Sequence, residues 1–299
     1  MTPNPSLRFS VLVACYNHEQ YLAEALGSVW AQTYRDFEIV AVDDGSRDGT
    51  GRLLDDLSSR SPVPMHVIHT ENAGASNAFN LAASYARGEY LAFLNDDDGY
   101  EPDRLAAFGR ASRIAPGEFW GFSGVQAIDS RGQPIDERSI ADARGPAIRA
   151  SARPIEAALS LARFNTTVSS GNLVLSSGLF RRLGGFLPYA HIHDWDLALR
   201  LLWTGLPSIL ERRLYRYRVH GLNTFDPAPA ADEVQSMWES RRRSFEGDLD
   251  AIRESIKEAR DEPAAGRDYA AARLREIESS RGWRYLTRYR ALRTKIVRR

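Results

Sequence analysis

The chain has 299 residues, 43% of them hydrophobic and 26% charged, the composition of a globular protein long enough to bury a substantial core. Lys and Arg number 39 and Asp and Glu number 39, so the formal net charge is zero and a basic surface for nucleic acid spread over the whole chain is excluded. The single cysteine, Cys15, excludes an internal disulfide framework and a cysteine-cluster zinc site.

Phe9 to Ala14 is a short apolar, β-rich run that predicts a buried strand. Tyr21, Leu22, Ala25, Leu26 and Val29 then recur at helical spacing. Phe37 to Val42 predicts a second strand running into Asp43-Asp44-Gly45-Ser46, with a helix from Asp48-Gly49-Thr50 through Leu57. Met65 to His69 reads as a third strand and Ala75 to Arg87 as an Ala-rich helix stopped by Gly88. Tyr90 to Leu94 reads as a fourth strand entering Asn95-Asp96-Asp97-Asp98. Strands alternating with helices imply a mainly parallel sheet covered on both faces. Right-handed crossovers then bring Tyr16-Asn17, Asp43-Asp44 and Asp96-Asp97-Asp98 to one sheet edge, where open α/β sheets bind ligands.

Residues 116–170 are less periodic and predict loops. Asn172 to Leu175 reads as another strand, Trp195 to Trp203 as a helix, and Leu214 to Val219 as a strand ending at His220. From Asp226 the chain turns polar and charged with helical spacing, so residues 1–225 are expected to form the main domain and 226–299 a helical extension. No run of about 18 apolar residues is present, and Met1 to Ser10 lacks the basic and apolar pattern of a secretory signal. A cytoplasmic protein is therefore expected.

Three adjacent carboxylates at a strand end repel one another, and a hard divalent cation such as Mg²⁺ or Mn²⁺ relieves that repulsion. Asp96-Asp97-Asp98 therefore reads either as a metal–diphosphate site or as a solvated acidic turn. Asp43-Asp44 reads either as an acceptor for a nucleoside or as a turn that caps the next helix. In His193-Asp194-Trp195-Asp196, one Asp suits a helix N-cap and the second is surplus, a candidate general base. No GxGxxG or GxxxxGK[ST] motif follows the first strand, and the only lysines, Lys257 and Lys295, lie far from it, which argues against a nucleotidyltransferase triphosphate loop.

These motifs in order resemble the inverting family 2 glycosyltransferases of the GT-A fold, over about residues 8–225. VLVACYNHEQYLAEALGSVWAQTYRDFEIVAVDDGSRDGT is similar to that family's nucleotide-binding half, and ENAGASNAFNLAASYARGEYLAFLNDDD to the segment leading into its DxD motif. SGNLVLSSGLFRRLGGF, HDWDLALRL and YRVHGLNT resemble its acceptor-side half. The resemblance implies that Ala14, Tyr16, Asn17 and Asp44 contact the nucleoside, Asp96 the ribose or diphosphate, and Asp97 the metal, with His220 at the metal or diphosphate and Asp194 as the base. It implies Mg²⁺ or Mn²⁺ as cofactor, a UDP- or dTDP-sugar as donor, and a saccharide or lipid-linked acceptor in cell-surface polysaccharide or glycolipid synthesis. Three residues depart from the pattern: Asn95 replaces the first Asp of DxD, Phe79 replaces an Arg, and His193 replaces an acidic residue before the base. A catalytically inactive nucleotide-sugar-binding subunit of the same fold is the alternative.

The neutral sum conceals an asymmetry. Residues 281–299 hold eight Arg or Lys and no Asp or Glu, leaving −8 on residues 1–280. Trp283, Tyr285, Tyr289, Leu292 and Ile296 form an apolar stripe on this basic tail. Such a helix suits peripheral contact with the inner face of the cell membrane, or packing on the protein's own acidic body.

Overall fold

The computed structural model describes residues 8–114, 118–140, 147–148, 161, 164–202, 204–205, 207–221 and 230–240. The chain divides into two compact units, Met1–Ala230 and Ala231–Arg299. Within the second, 231–240 are helical. The tail at 281–299 lies outside the described residues.

The first unit is built on one eight-stranded mixed sheet. Its strands are β1 (Phe9–Cys15), β2 (Phe37–Asp44), β3 (Met65–Thr70), β4 (Tyr90–Asn95), β5 (Gly99–Tyr100), β6 (Trp120–Ile128), β7 (Val174–Ser176) and β8 (Ser208–Arg218). They lie in the order β3-β2-β1-β4-β7-β6-β8-β5. The pairs β1–β2, β1–β4, β2–β3 and β6–β8 are parallel, and β4–β7, β6–β7 and β5–β8 antiparallel. The helices are α1 (Glu19–Trp30), α2 (Thr50–Ser59), α3 (Ala75–Tyr85), α4 (Arg104–Ile114), α5 (Ser177–Arg182) and α6 (His193–Leu202).

β1 is buried on both faces, as its continuous apolar run requires. Phe9, Val11, Val13 and Cys15 join α1, α2 and α4 through Leu22, Leu26, Leu54, Leu105 and Phe108. On the opposite face α3 lies against β1 and β2. There Phe79 meets Phe93 at 5.3 Å between ring centroids and Phe186 at 5.7 Å. Phe79 is fully buried; the position where the resemblance implies an Arg is core.

Register aligns the site. Cys15 stands opposite Asp43, and Ala14 opposite both Val42 and Asn95. The three polar segments after β1, β2 and β4 therefore share one edge.

Three sequence expectations change. β6 runs through the region expected to be loops, as a nine-residue, almost wholly buried strand. Gly121 lets it approach β8, where a Cβ would lie 2.1 Å from the Ser208 carbonyl oxygen. Gly88 does not stop α3, which ends at Tyr85 with Ala86 already extended; its missing side chain lets it sit against β1, where a Cβ would lie 2.4 Å from Ser10 N. The helix expected from Trp195 begins at His193. Asp194 and Asp196 therefore fall in its first turn, where carboxylates complement the helix dipole, and neither is the N-cap.

Candidate active site

The loop after β4 sends its three carboxylates in different directions. Asp96 turns toward the segment after β1, accepting from Tyr16 N at 2.9 Å and pairing with His18 Nδ1 at 2.7 Å. Asp98 turns toward β8, accepting from Arg218 N at 2.7 Å, Tyr215 Oη at 2.5 Å and Asn95 Nδ2 at 3.2 Å. Burial and then the charge of Asp97 push the Asp98 carboxyl well above the ordinary carboxylate range, against the pull of Tyr215 and Arg218. Asp97 lies between them, with Oδ2 3.0 Å from His220 Nε2.

One donor atom each of His18, Asp97 and His220 lies within 4.8 Å of the others. The His18 and His220 rings meet edge to face at 5.5 Å, and Tyr21 packs against both, at 6.0 Å from His18 and 4.9 Å from His220. Burial opposes charge on His18, but its bond to Asp96 and the charges of Asp96, Asp97 and Asp98 outweigh that and push its pKa up to about 9. Imidazole with carboxylate is a donor set that fits a divalent ion.

Arg218, fully buried at the end of β8, organises the approach to His220. Its Nε donates to the Asp97 carbonyl at 2.7 Å, Nη1 to the Asp129 carbonyl at 3.1 Å and Nη2 to Glu24 at 2.6 Å. The guanidinium also lies 4.7 Å over the Tyr21 ring. The same arginine thus fixes α1, the β4 loop and the end of β8.

The residues expected at the nucleoside occupy the adjoining part of this edge. Ala14 is the last residue but one of the buried strand β1, and Tyr16 is 37% exposed just beyond the strand. Asn17 adopts a left-handed backbone (φ 54°) and accepts from Arg47 N at 2.7 Å, while its own N–H donates to Ser46 Oγ. Asp44 is buried, and its carboxylate accepts from Ala73 N and Gly74 N, both at 2.8 Å. These bonds shape the entry to α3; Oδ2 also accepts from Asn72 Nδ2 at 3.3 Å, so the further lone pair for a ligand lies on Oδ1.

Asp194, at the start of α6, is also buried. Its Oδ2 accepts from Asn165 Nδ2 at 2.7 Å and Oδ1 from Trp195 N at 2.7 Å. Burial raises its pKa above the ordinary value, opposed by charge on His193 and by the Trp195 and Asn165 donors. Asp196 serves the fold: Arg200 Nε donates to it at 2.8 Å while the same guanidinium holds the Leu183 and Gly185 carbonyls. The segment beginning at Asn165 also reaches β4, where Ser169 Oγ accepts from Asn95 Nδ2 at 2.8 Å and Ser170 Oγ donates to Asn95 Oδ1 at 3.1 Å. Asp194 is thereby tied through 165–170 to β4, which leads into the loop of Asp96 and Asp97. Asn95, standing where the resemblance places a metal-side Asp, holds this connection.

His18, Asn165 and Arg218 were not among the residues singled out from sequence. His18 directly follows Tyr16-Asn17, and the sheet-edge argument that marked those two extends to it. Asn165 carries no local signal.

A profile described as Glycosyl transferase family 2 matches residues 10–109. An uncharacterized glycosyltransferase of Nostoc sp. is 40% identical over 241 residues, covering 77% of this chain and 70% of the relative. One of Rickettsia typhi is 26% identical over 234 residues, covering 77% and 70%. The crystal structure of Staphylococcus aureus TarS 1–349 in complex with UDP-GlcNAc is similar in fold, with a TM-score of 0.55 at 19% identity. That match covers 74% of this chain and 61% of the TarS fragment.

Proposed function

The chain belongs to glycosyl transferase family 2, and from that premise we propose that it moves a sugar from a nucleoside-diphosphate donor to an acceptor hydroxyl with inversion, using Asp194 as the base. The carrying observation is the buried Asp194 carboxylate, oriented by Asn165 and tied through 165–170 to the strand that leads into Asp96 and Asp97.

In this reading the Asp194 carboxylate takes the proton of the acceptor hydroxyl as the acceptor oxygen bonds to the anomeric carbon. The bond from that carbon to the diphosphate oxygen breaks, and the electron pair leaves with the nucleoside diphosphate. Backside displacement in one step inverts the anomeric centre. Ala14, Tyr16, Asn17 and Asp44 receive the nucleoside, and Asp96 faces the ribose or diphosphate. Asp97 and His220 would hold Mg²⁺ or Mn²⁺, which when bound would supply positive charge beside the leaving diphosphate. Asp98 stays on Tyr215 and Arg218 and positions its neighbours.

TarS structures described as complexes with UDP and with UDP-GlcNAc share the fold, which supports a UDP-sugar donor here, with a dTDP-sugar as the second choice. A saccharide or lipid-linked acceptor, a role in cell-surface polysaccharide or glycolipid synthesis and a place at the inner face of the membrane follow by family analogy. Among the described residues no helix is long and apolar enough to cross a membrane.

A thermal-shift screen of UDP, dTDP, GDP and their sugars, with and without Mn²⁺, tests the donor. A true ligand raises the melting temperature by mass action. UDP or dTDP compounds are expected to do so, more with Mn²⁺ than without. No shift with any nucleotide would contradict the proposal.

A further inference from the structure

The position of His18 in this site has a consequence for the metal. We propose that His18 is a third metal ligand beside Asp97 and His220, giving a centre of two imidazoles and one carboxylate that selects a first-row transition ion such as Mn²⁺ over Mg²⁺. The proposal rests on the metal-assisted reading above and deepens it.

Three observations carry it. The first is proximity: His18, Asp97 and His220 present one donor atom each within 4.8 Å of one another, although His18 follows β1, Asp97 follows β4 and His220 follows β8. Asp97 Oδ2 and His220 Nε2 are 3.0 Å apart, the separation of two adjacent donors around an octahedral ion with ligand bonds of about 2.1 Å.

The second is orientation. A metal-ligating histidine almost always gives its other ring nitrogen to a carboxylate or carbonyl, which fixes the tautomer and the ring plane. His18 Nδ1 is on Asp96 Oδ1 at 2.7 Å, and Asp96 is itself held by Tyr16 N at 2.9 Å. Nε2 is then the ring nitrogen left for an ion. The backbone of His18 is pinned as well, its N–H donating to Thr50 Oγ1 at 3.0 Å.

The third is enclosure. The side chains of His18, Asp97 and His220 are 13%, 10% and 4% exposed, and Tyr21 closes the wall behind both rings. Two imidazoles brought together beside carboxylates in a nearly dry pocket favour a cation. Mg²⁺ prefers oxygen donors and keeps its waters, whereas imidazole suits the first-row transition ions. Asp96, in the same arrangement, acts through His18 as the residue that positions it.

The test is direct Mn²⁺ and Mg²⁺ binding by the full chain, alone and with UDP, in wild type and His18→Gln, with electron spin-echo measurement of ¹⁴N coupling to bound Mn²⁺. Wild type is expected to bind Mn²⁺ at least tenfold more tightly than Mg²⁺ and to show two coupled imidazole nitrogens. H18Q is expected to lose about tenfold or more in Mn²⁺ affinity, to lose one nitrogen signal and to change little toward Mg²⁺. The wild-type nitrogen count needs no variant and stands if H18Q folds poorly. A single coupled nitrogen in wild type, or unchanged Mn²⁺ affinity in a folded H18Q, would overturn the assignment of His18 while leaving Asp97 and His220 in place. Failure of wild type to bind any divalent ion, with or without UDP, would overturn the metal reading itself.

Discussion

Asp194 combines two properties a base needs: a fixed direction and a pKa nearer neutrality. Burial supplies the shift, and Asn165 and Trp195 supply the direction. The sign follows directly. A carboxyl whose pKa is raised takes up its proton at a higher pH than an ordinary Asp, so the basic form is lost earlier as the solution is acidified. The acid limb of kcat/KM is therefore expected above the ordinary Asp value of about 3.9. Removing the Asn165 amide, which favours the charged carboxylate, should move that limb further up. Asn165→Ala is thus expected to shift the limb to higher pH and to lower kcat, read in a pH–rate profile at saturating donor. A limb that N165A leaves in place would separate Asn165 from the chemistry.

Phe79 shows how an element constrains a motif. The helix α3 that carries it follows a loop held by Asp44, and its inner face is an aromatic cluster with Phe93 and Phe186. Phe79→Arg would restore the residue implied by the family resemblance but bury a charge among rings. It is expected to cost about 3–5 kcal/mol in urea unfolding, the range for an uncompensated buried charge. A stability loss under about 0.5 kcal/mol would show that the cluster opens to let the guanidinium out. The first four strands are readable from sequence because each is an apolar run ended by turn residues. β6 was not, because it carries Gly121, Gly124, Ser123 and Gln126 where a buried strand usually carries aliphatics. Its polar interior is satisfied only in three dimensions: Ser123 Oγ accepts from Arg104 Nη1 at 2.6 Å, and Ser123 N donates to Asn172 Oδ1 at 3.2 Å. The outer half of β8, Ser208 to Arg213, is not legible for the opposite reason, since it is partly exposed and reads as polar. In the site, Asp97 and His220 were marked separately, but their 3.0 Å contact depends on β8 delivering residue 220 to the end of β4. His18 joins them through the same tertiary arrangement, which no local pattern encodes.

Over the whole chain, zero net charge divides into −8 on residues 1–280 and +8 on 281–299. A basic segment with an apolar stripe should bind vesicles containing anionic lipid, and that binding should weaken with salt as surface attraction is screened. Deleting residues 281–299 is expected to lower anionic-vesicle binding at least tenfold in a sedimentation assay while donor binding persists. Unchanged vesicle binding after the deletion would assign the tail to some other role. In the first unit, one hydrogen-bonded segment joins the buried Asp194 carboxylate to the end of β4. The proposed role of Asp194 is tested by measuring release of nucleoside diphosphate from the donor found in the thermal-shift screen, with envelope glycans and glycolipids as acceptors, for wild type and Asp194→Asn. Wild type should release nucleoside diphosphate in an acceptor-dependent way, and D194N should bind the donor equally well yet lose at least a thousandfold in rate. Full turnover by D194N, or no acceptor-dependent release by wild type, would contradict the account.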